Sequence, residues 1–188
     1  MPRSPRHVEA GGFYHVSPRG NDGRAIYTDD FDRMRQLALI GRTARRHGWT
    51  IFAYCLMTNH FHLLLQVSEG GLSAGMQEVL GEYARFWNRR HGHSGHVFRN
   101  RFSSSMVASD RHLMAAARYI DLNPVRANLT EHPEQWRWSS YRALIGVDHA
   151  APFLGVSALL QLFGPAPTRA RQAYQLFVQE GHARVSDT

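Results

Sequence analysis

Four short stretches of the chain are apolar or rich in residues that favour strands, and hydrophobic residues recur at helical spacing in three longer stretches. The short stretches predict β-strands and cover residues 11–19, 49–57, 61–67 and 97–107. The helical stretches begin near Asp29, Ser73 and Ser109, whose side chains can cap a helix, and end near Gly48, Arg90 and Asn123. The predicted order is therefore strand, helix, strand, strand, helix, strand, helix.

This order is typical of an α+β fold, ferredoxin-like in general plan, with helices packed on an antiparallel sheet. We expect this domain to occupy residues 1–145. Two more helical patterns, at 156–163 and 168–180, predict a helical C-terminal extension over residues 146–188. Trp136 and Trp138 could stack on DNA bases or anchor this extension on the sheet, and we favour the anchoring role.

Composition bounds the class of protein. Hydrophobic residues make up 43% of the chain and aromatic residues 11%, which is enough to build a globular core. No stretch approaches the roughly 18 apolar residues of a membrane span, and residues 1–10 lack the apolar segment of a secretory signal. We therefore expect a cytoplasmic protein with no membrane partner. The single cysteine, Cys55, excludes an internal disulfide and is expected to be a buried, inert thiol.

The net charge of +7 and the pI near 10.3 favour a polyanionic partner, with nucleic acid as the first candidate. All 22 basic residues are arginine, and lysine is absent from the sequence. Arginine suits bidentate contacts to phosphate and guanine, although a GC-rich coding bias would also remove lysine. The excess positive charge requires a function under either explanation.

Two histidines in residues 59–65 are candidate metal ligands. Alternation along a strand places His60 and His62 on one face while apolar side chains fill the other. Two imidazoles that point the same way can bind one divalent metal as neighbouring ligands. The spacing alone is common, and His91 and His93 repeat it in a glycine-rich loop, where we interpret them as solvated loop residues.

A second candidate group lies on the third predicted helix. Tyr119 and Asn123 are four residues apart, so a helix presents a phenol and an amide oxygen on one face. In isolation the pair would be a packed ring and a helix end before Pro124. In combination with the paired histidines and the basic charge, the set points to a phosphodiester substrate. Tyr83 is the other possible nucleophile, but its spacing follows the apolar face of the second helix, so we interpret it as a packing residue.

The segments MTNHFHLLLQ, GHVFRNRF, RYIDLNPVRA and WRWSSY, in this order, resemble the REP-associated branch of the single-tyrosine HUH transposases. The resemblance spans roughly residues 11–145 and is most specific in RYIDLNPVRA. It implies a strand whose two histidines hold Mg²⁺ or Mn²⁺, which are His60 and His62 here. It also implies a nucleophilic tyrosine on a helix, here Tyr119, and an amide third ligand, here Asn123. Thr58 departs from the proline that the family frequently has before this strand.

The resemblance implies a metal-dependent single-strand DNA endonuclease and strand transferase, a transposase that acts on hairpin-forming DNA through a 5′-phosphotyrosine intermediate. We expect single-stranded or hairpin DNA as the partner, no small-molecule substrate, and a monomeric protein. The residues that we expect to contact DNA are polar or basic: Arg19, Asn21, Arg24, Arg99, Arg101 and Arg126.

Three other functions are compatible with parts of the sequence. A non-cleaving, palindrome-binding DNA regulator of the same fold would not need the complete set of candidate catalytic residues. A metal-dependent hydrolase of small phosphate compounds would leave the net charge and Tyr119 without a role. A replication-initiator or relaxase-like enzyme shares the chemistry, but its size and tail motifs fit this chain less well.

Overall fold

The structure, a computed structural model, describes residues 8–69, 71–99 and 101–186. The four strands are β1 (Phe13–Ser17), β2 (Trp49–Leu56), β3 (Phe61–Val67) and β4 (Ser103–Val107). The three main helices are α1 (Asp30–Arg46), α2 (Leu72–Arg90) and α3 (Asp110–Asp121). They are followed by α4 (Asn123–Arg126), α5 (Tyr141–Leu144), α6 (Val156–Leu160) and α7 (Pro167–Ser186). The predicted order of strands and helices is confirmed. Residues 1–7 and Asn100, which the sequence analysis included, lie outside the described residues.

The strands form one antiparallel sheet in the order β2-β3-β1-β4. Helices α1 and α2 pack on one face, where Leu63 and Leu65 join the first hydrophobic core. Helix α3 and the C-terminal helices pack on the other face, where Leu64 joins the second core. The predicted α+β fold is confirmed. Among the described residues, no helix is both long and apolar enough to cross a membrane.

A bulge in β2 places two consecutive residues of this strand in the same core. The register against β3 shifts between Ile51 and Ala53, so one extra residue is inserted there. Phe52 and Ala53 both contribute to the core beneath α3, while Ile51 contributes to the opposite core. Cys55 lies in this strand as a buried free cysteine, as predicted, and burial raises the pKa of its thiol.

Two predicted element boundaries were wrong. Strand β4 begins at Ser103 rather than at residue 97, because the preceding segment pairs with the loop after β1. In this pairing Asn21 N donates to Val97 O and Arg99 N donates to Arg19 O. Helix α2 begins one residue before Ser73, so the Ser73 side chain does not cap it.

The end of the third helix also differs from the prediction. Helix α3 ends at Asp121, but Pro124 lies in the first turn of α4 instead of terminating helical structure. Proline is tolerated there because a first-turn N–H has no partner within its helix. The turn places Asn123 at the junction of α3 and α4, immediately after the helix that carries Tyr119.

The C-terminal extension is anchored on the outer edge of β2. Leu56 N donates to Trp138 O at 2.9 Å, and Trp136 Nε1 donates to Leu56 O at 3.1 Å. The tryptophans thus bond to the sheet just before the extension, consistent with the anchoring role that we favoured, and Gly155 N of the extension donates to Ile51 O of the same strand at 2.8 Å. Helix α7 then packs against α3, where its Tyr174 hydroxyl donates to the buried carboxyl group of Asp121. Burial raises the pKa of Asp121 to about 7, although hydrogen bonds from Tyr174 and Ser140 oppose the shift.

This buried contact predicts a stability effect. Tyr174→Phe leaves the buried carboxyl group of Asp121 without its closest donor, and we expect the free energy of unfolding to fall by about 1–3 kcal/mol. Tyr27→Phe is the matched control, because the Tyr27 hydroxyl is buried and has no hydrogen-bond partner among the described residues. In urea denaturation, Tyr27→Phe should leave the free energy of unfolding unchanged or raise it slightly. Equal losses in both variants would contradict a specific role for the Tyr174–Asp121 hydrogen bond.

Candidate active site

His60 and His62 lie side by side on the sheet face that carries α3. His62 is the second residue of β3 and only 5% exposed, and His60 precedes the strand, in an antiparallel bridge with Arg19. Their ring centroids are 4.9 Å apart with the planes nearly perpendicular, at 87°. The alternation of the strand thus brings the two imidazoles together, as the sequence predicts.

The hydrogen bonds of these histidines determine which ring nitrogens remain available. His60 Nδ1 donates to the amide oxygen of Asn59 at 2.7 Å, which leaves the lone pair on Nε2. A hydrogen bond of 2.9 Å joins His62 Nδ1 to Nε2 of His15 on β1. His62 Nε2 is buried and has no hydrogen-bond partner among the described residues. Each ring can therefore offer Nε2 to a ligand.

Both rings are held in the neutral form. Burial lowers the pKa of His60 to about 4, and the nearby charge of Arg19 adds to the shift. Burial lowers the pKa of His62 to about 3, with smaller effects of His15 and His60. The Asn123 amide favours the protonated form of His62 weakly, but it makes no hydrogen bond to Nε2. Metal ligation requires neutral imidazole, so the environment suits this role.

Tyr119 projects from α3 toward the histidines. Its ring centroid is 5.9 Å from that of His62 and 5.8 Å from that of His15, and the residue is 41% exposed. Asn123 is almost buried, and its Nδ2 donates to the carbonyl oxygen of Tyr119 at 2.8 Å. This bond uses the amide nitrogen, which leaves the amide oxygen as a possible ligand. A single chain thus supplies the phenol, both imidazoles and the amide.

The donor set fits a divalent metal when the amide is included. Among the residues that the structure describes, no three His, Cys, Asp or Glu side chains are grouped so that they could hold an ion. His60 and His62 therefore need a ligand of another kind, and Asn123 is the nearby amide. The buried, unpartnered Nε2 of His62 is the observation that favours a bound ion here.

Four of the six predicted DNA contacts belong to segments next to this site. Arg19 forms a backbone β-bridge with His60, and the backbone N–H of Arg99 donates to the carbonyl oxygen of Arg19. The Arg126 guanidinium lies over the Tyr119 ring, 5.3 Å from its centroid. Arg24, in the loop after β1, bonds to the ring of His93. The Arg19 charge thus lies near enough to His60 to shift its pKa, and the Arg126 guanidinium covers the phenol, whereas the Arg24 guanidinium is held at His93.

The other two predicted contacts have different surroundings. Asn21 uses its side-chain amide to bond to Asp22 in the same loop. Arg101 lines a cavity of about 550 Å³ between α2 and the segment that precedes β4. Helix α2 packs on the sheet face opposite Tyr119, so Arg101 is less directly placed for contact with DNA at the tyrosine.

The competing candidates have structural partners. His91 bonds to Asp32, and His93 bonds to Asn88 and Arg24, so these two rings do not form a joint site and are less solvated than we predicted. Tyr83 is completely buried, and its hydroxyl donates to a backbone carbonyl. Burial raises the pKa of Tyr83 strongly, and the packing role predicted for it is confirmed.

His15 is the component of the site that the sequence analysis missed. Its only sequence signal is the alternation of β1, in which Tyr14 and Val16 face the first core and leave His15 on the other face. The antiparallel pairing of β1 with β3 then places His15 opposite Leu64, which is two residues from His62 and on the same face of the sheet. Local sequence does not reveal this pairing.

Comparison with known proteins identifies the family. The model of the family described as IS200-like transposases matches residues 12–123, more than half of the chain, and the protein belongs to this family. A Haemophilus influenzae protein assigned as a REP-associated tyrosine transposase is 24% identical over 148 residues, which cover 72% of this chain and 83% of the relative. A solved structure of a REP-associated tyrosine transposase bound to a REP hairpin has a TM-score of 0.64 and 18% identity, with 81% of this chain and 90% of that chain covered. This structure shares the fold, and the predicted resemblance to REP-associated transposases is confirmed.

Proposed function

We propose that this IS200-like transposase is a metal-dependent single-strand DNA endonuclease and strand transferase that works through a 5′-phosphotyrosine intermediate. The observation that supports it most directly is the convergence of Tyr119 with His60, His62 and Asn123 at one surface. An exposed phenol beside two neutral imidazoles and an amide combines a nucleophile with ligands for a divalent metal.

Hairpin DNA with a single-stranded flank is the proposed substrate. The related solved structure is bound to a REP hairpin, and the positive charge of this chain suits the same kind of ligand. The guanidinium groups of Arg19, Arg24 and Arg99 can contact phosphates next to the candidate site, and Arg126 can contact a phosphate close to the phenol. A tyrosine needs direct access to the phosphodiester, so the cleaved segment is unpaired.

In the proposed reaction, the Tyr119 oxygen attacks the phosphorus and forms a new P–O bond, while its proton is released to solvent. The bond from phosphorus to the 3′ oxygen breaks, and the departing oxygen takes up a proton to become a free 3′-hydroxyl. The phosphotyrosine bond conserves the phosphodiester energy, so a second 3′-hydroxyl can reverse the step and join a new strand without ATP. Arg126 lies where it can stabilise the phosphate that reaches Tyr119.

His60, His62 and Asn123 are the residues that would hold Mg²⁺ or Mn²⁺. A divalent ion, when bound, polarises the phosphate and aligns it for in-line attack. The Asn59 amide keeps the proton of His60 on Nδ1, and burial keeps both imidazoles unprotonated. The proposed metal is thus matched to the protonation states that the fold imposes.

A cleavage assay on a hairpin oligonucleotide with a labelled single-stranded flank tests this proposal. We expect one free 3′-hydroxyl product and one protein-linked product in Mn²⁺ or Mg²⁺, and neither product in chelator. Tight hairpin binding without cleavage under all metal conditions would instead support the non-cleaving regulator. Cleavage in chelator would remove the metal from the mechanism.

Charge neutralisation by arginine predicts a steep salt dependence of hairpin affinity. The slope of log affinity against log salt should be about −0.7 for each single-strand phosphate contact. Arg19→Gln should weaken binding and make the slope shallower by about one such contact. Arg45→Gln is the matched control, because Arg45 is exposed and lies in the last turn of α1, on the opposite sheet face. Filter binding at several salt concentrations measures both slopes, and a flat response would contradict phosphate-dominated binding.

A further inference from the structure

The arrangement around His62 leaves one question about its proton. A neutral imidazole carries its proton on Nδ1 or on Nε2, and only the nitrogen without a proton can bind a metal. His60 has a hydrogen bond that settles its proton on Nδ1, because the Asn59 oxygen only accepts. Among the described residues, no carboxylate or carbonyl bonds to His62 Nδ1, and its partner there is His15.

His15 is well placed to act on His62 and poorly placed to act as a ligand itself. Its Nε2 is 2.9 Å from His62 Nδ1, and their ring centroids are 5.0 Å apart. The nitrogen that faces the site is therefore engaged with His62. Among the described residues, no three His, Cys, Asp or Glu side chains are grouped so that they could hold a metal ion. His15 therefore does not join His60 and His62 as a third ligand.

We propose that His15 is a positioning residue that accepts the Nδ1 proton of His62 and so directs the His62 Nε2 lone pair into the candidate metal site. This inference rests on the proposed function in that it takes His62 as a ligand. With His15 Nε2 as the acceptor, the proton of His15 is on its own Nδ1. In the opposite arrangement, His62 Nε2 would carry the proton. This nitrogen is buried and has no hydrogen-bond partner in the described part of the chain, so the N–H group would be an unsatisfied donor.

The pairing of the strands also fixes the orientation of the His62 ring. His15 is held on β1 between β3 and β4, and the pairing of β1 with β3 fixes its distance from His62. A hydrogen bond to the second nitrogen of a metal-bound imidazole fixes the ring plane and increases its basicity. Such outer partners typically change metal affinity by about 10- to 100-fold.

The test uses the full chain and compares His15→Gln with His15→Phe. The glutamine side-chain oxygen reaches about as far as His15 Nε2 and accepts a hydrogen bond, whereas phenylalanine keeps a planar ring without an acceptor. Nitrogen-15 NMR of metal-free protein reports which His62 nitrogen carries the proton, and calorimetric titration with Mn²⁺ reports affinity. His112→Leu is the control, because it removes another imidazole near His15 that is not among the groups that shift the pKa of His62.

We expect the His62 proton on Nδ1 in the unmodified chain, in His15→Gln and in His112→Leu. His15→Phe should lose this preference and bind Mn²⁺ about 10- to 100-fold more weakly, while His15→Gln should stay within about 3-fold. Should His15→Phe fail to fold by circular dichroism, His15→Leu replaces it. The proposal is overturned by a His62 proton on Nε2 in the unmodified chain, by an unchanged tautomer in His15→Phe, or by equal losses of affinity in the Gln and Phe variants.

These measurements do not depend on DNA cleavage. A chain that fails to cleave DNA but shows the expected tautomer and Mn²⁺ affinities would overturn the proposed function and retain the role of His15. If the unmodified chain forms the tyrosine adduct but the His62 tautomer is unchanged in His15→Phe, the proposed function is retained and the role of His15 is overturned.

Discussion

Replacement of Tyr119 by phenylalanine is expected to abolish cleavage of hairpin DNA and leave the fold intact. The change removes one oxygen from a residue that is 41% exposed, and it keeps the ring between α3 and the histidines. We therefore expect the free energy of unfolding to change by less than about 1 kcal/mol. Hairpin affinity should stay within a few-fold, because the arginines supply most of it. Gel analysis of labelled hairpin DNA measures the loss of product.

Tyr83→Phe removes the same oxygen from α2 and is the matched control. The Tyr83 hydroxyl is buried and donates to the backbone oxygen of Ile26, so its loss should cost about 1–2 kcal/mol of stability. Cleavage by this variant should remain within a few-fold of the unmodified chain. Tyr119→Phe should therefore remove cleavage and keep stability, whereas Tyr83→Phe should lower stability and keep cleavage. Full cleavage by Tyr119→Phe would show that another residue is the nucleophile.

His62→Ala should eliminate cleavage and weaken Mn²⁺ binding. Loss of a residue that only hydrogen-bonds to a metal ligand typically lowers metal affinity by about 10- to 100-fold. Loss of the ligand itself should lower it at least as much. The imidazole is buried and its Nε2 has no hydrogen-bond partner within the described ranges, so the variant deletes the nitrogen assigned to the ion. His60→Ala should have the same effect on cleavage. Hairpin affinity should change only a few-fold in both variants, since neither ring is a major phosphate contact.

His91→Ala is the control for this pair, because His91 bonds to Asp32 rather than to the site. It should cleave at nearly the normal rate, with some loss of stability from the lost bond. Cleavage by His62→Ala in the presence of chelator would contradict a metal-dependent mechanism. Normal Mn²⁺ affinity in both His60→Ala and His62→Ala would place the metal elsewhere on the protein.

Periodicity determined how much of the fold could be predicted. The alternation in β3 placed His60 and His62 on one face, and the four-residue spacing in α3 placed Tyr119 near Asn123. Both patterns are local, because they depend only on the repeat of one strand or one helix. The antiparallel sheet also followed from the order of elements, since few topologies accommodate that order.

Features that depend on pairing between distant segments could not be predicted in the same way. His15 is 47 residues from His62 in sequence, and their contact depends on the register between β1 and β3. The late start of β4 has the same origin, because residues before Ser103 bond to the loop after β1. The start of α2 depended on backbone conformation instead: Gly71, with a φ of 79°, occupies the N-cap position, so Ser73 lies inside the first turn.

The location of the covalent adduct tests the central claim most directly. The chain is incubated with hairpin DNA and Mn²⁺, digested with trypsin and nuclease, and analysed by mass spectrometry. Trypsin releases residues 119–126, or 112–126 after a missed cleavage, and Tyr119 is the only tyrosine in either peptide. We predict a nucleotide mass on this peptide through a 5′-phosphate. A nucleotide on the peptide that contains Tyr83, or cleaved DNA without any protein adduct, would contradict the assignment of Tyr119 as the nucleophile.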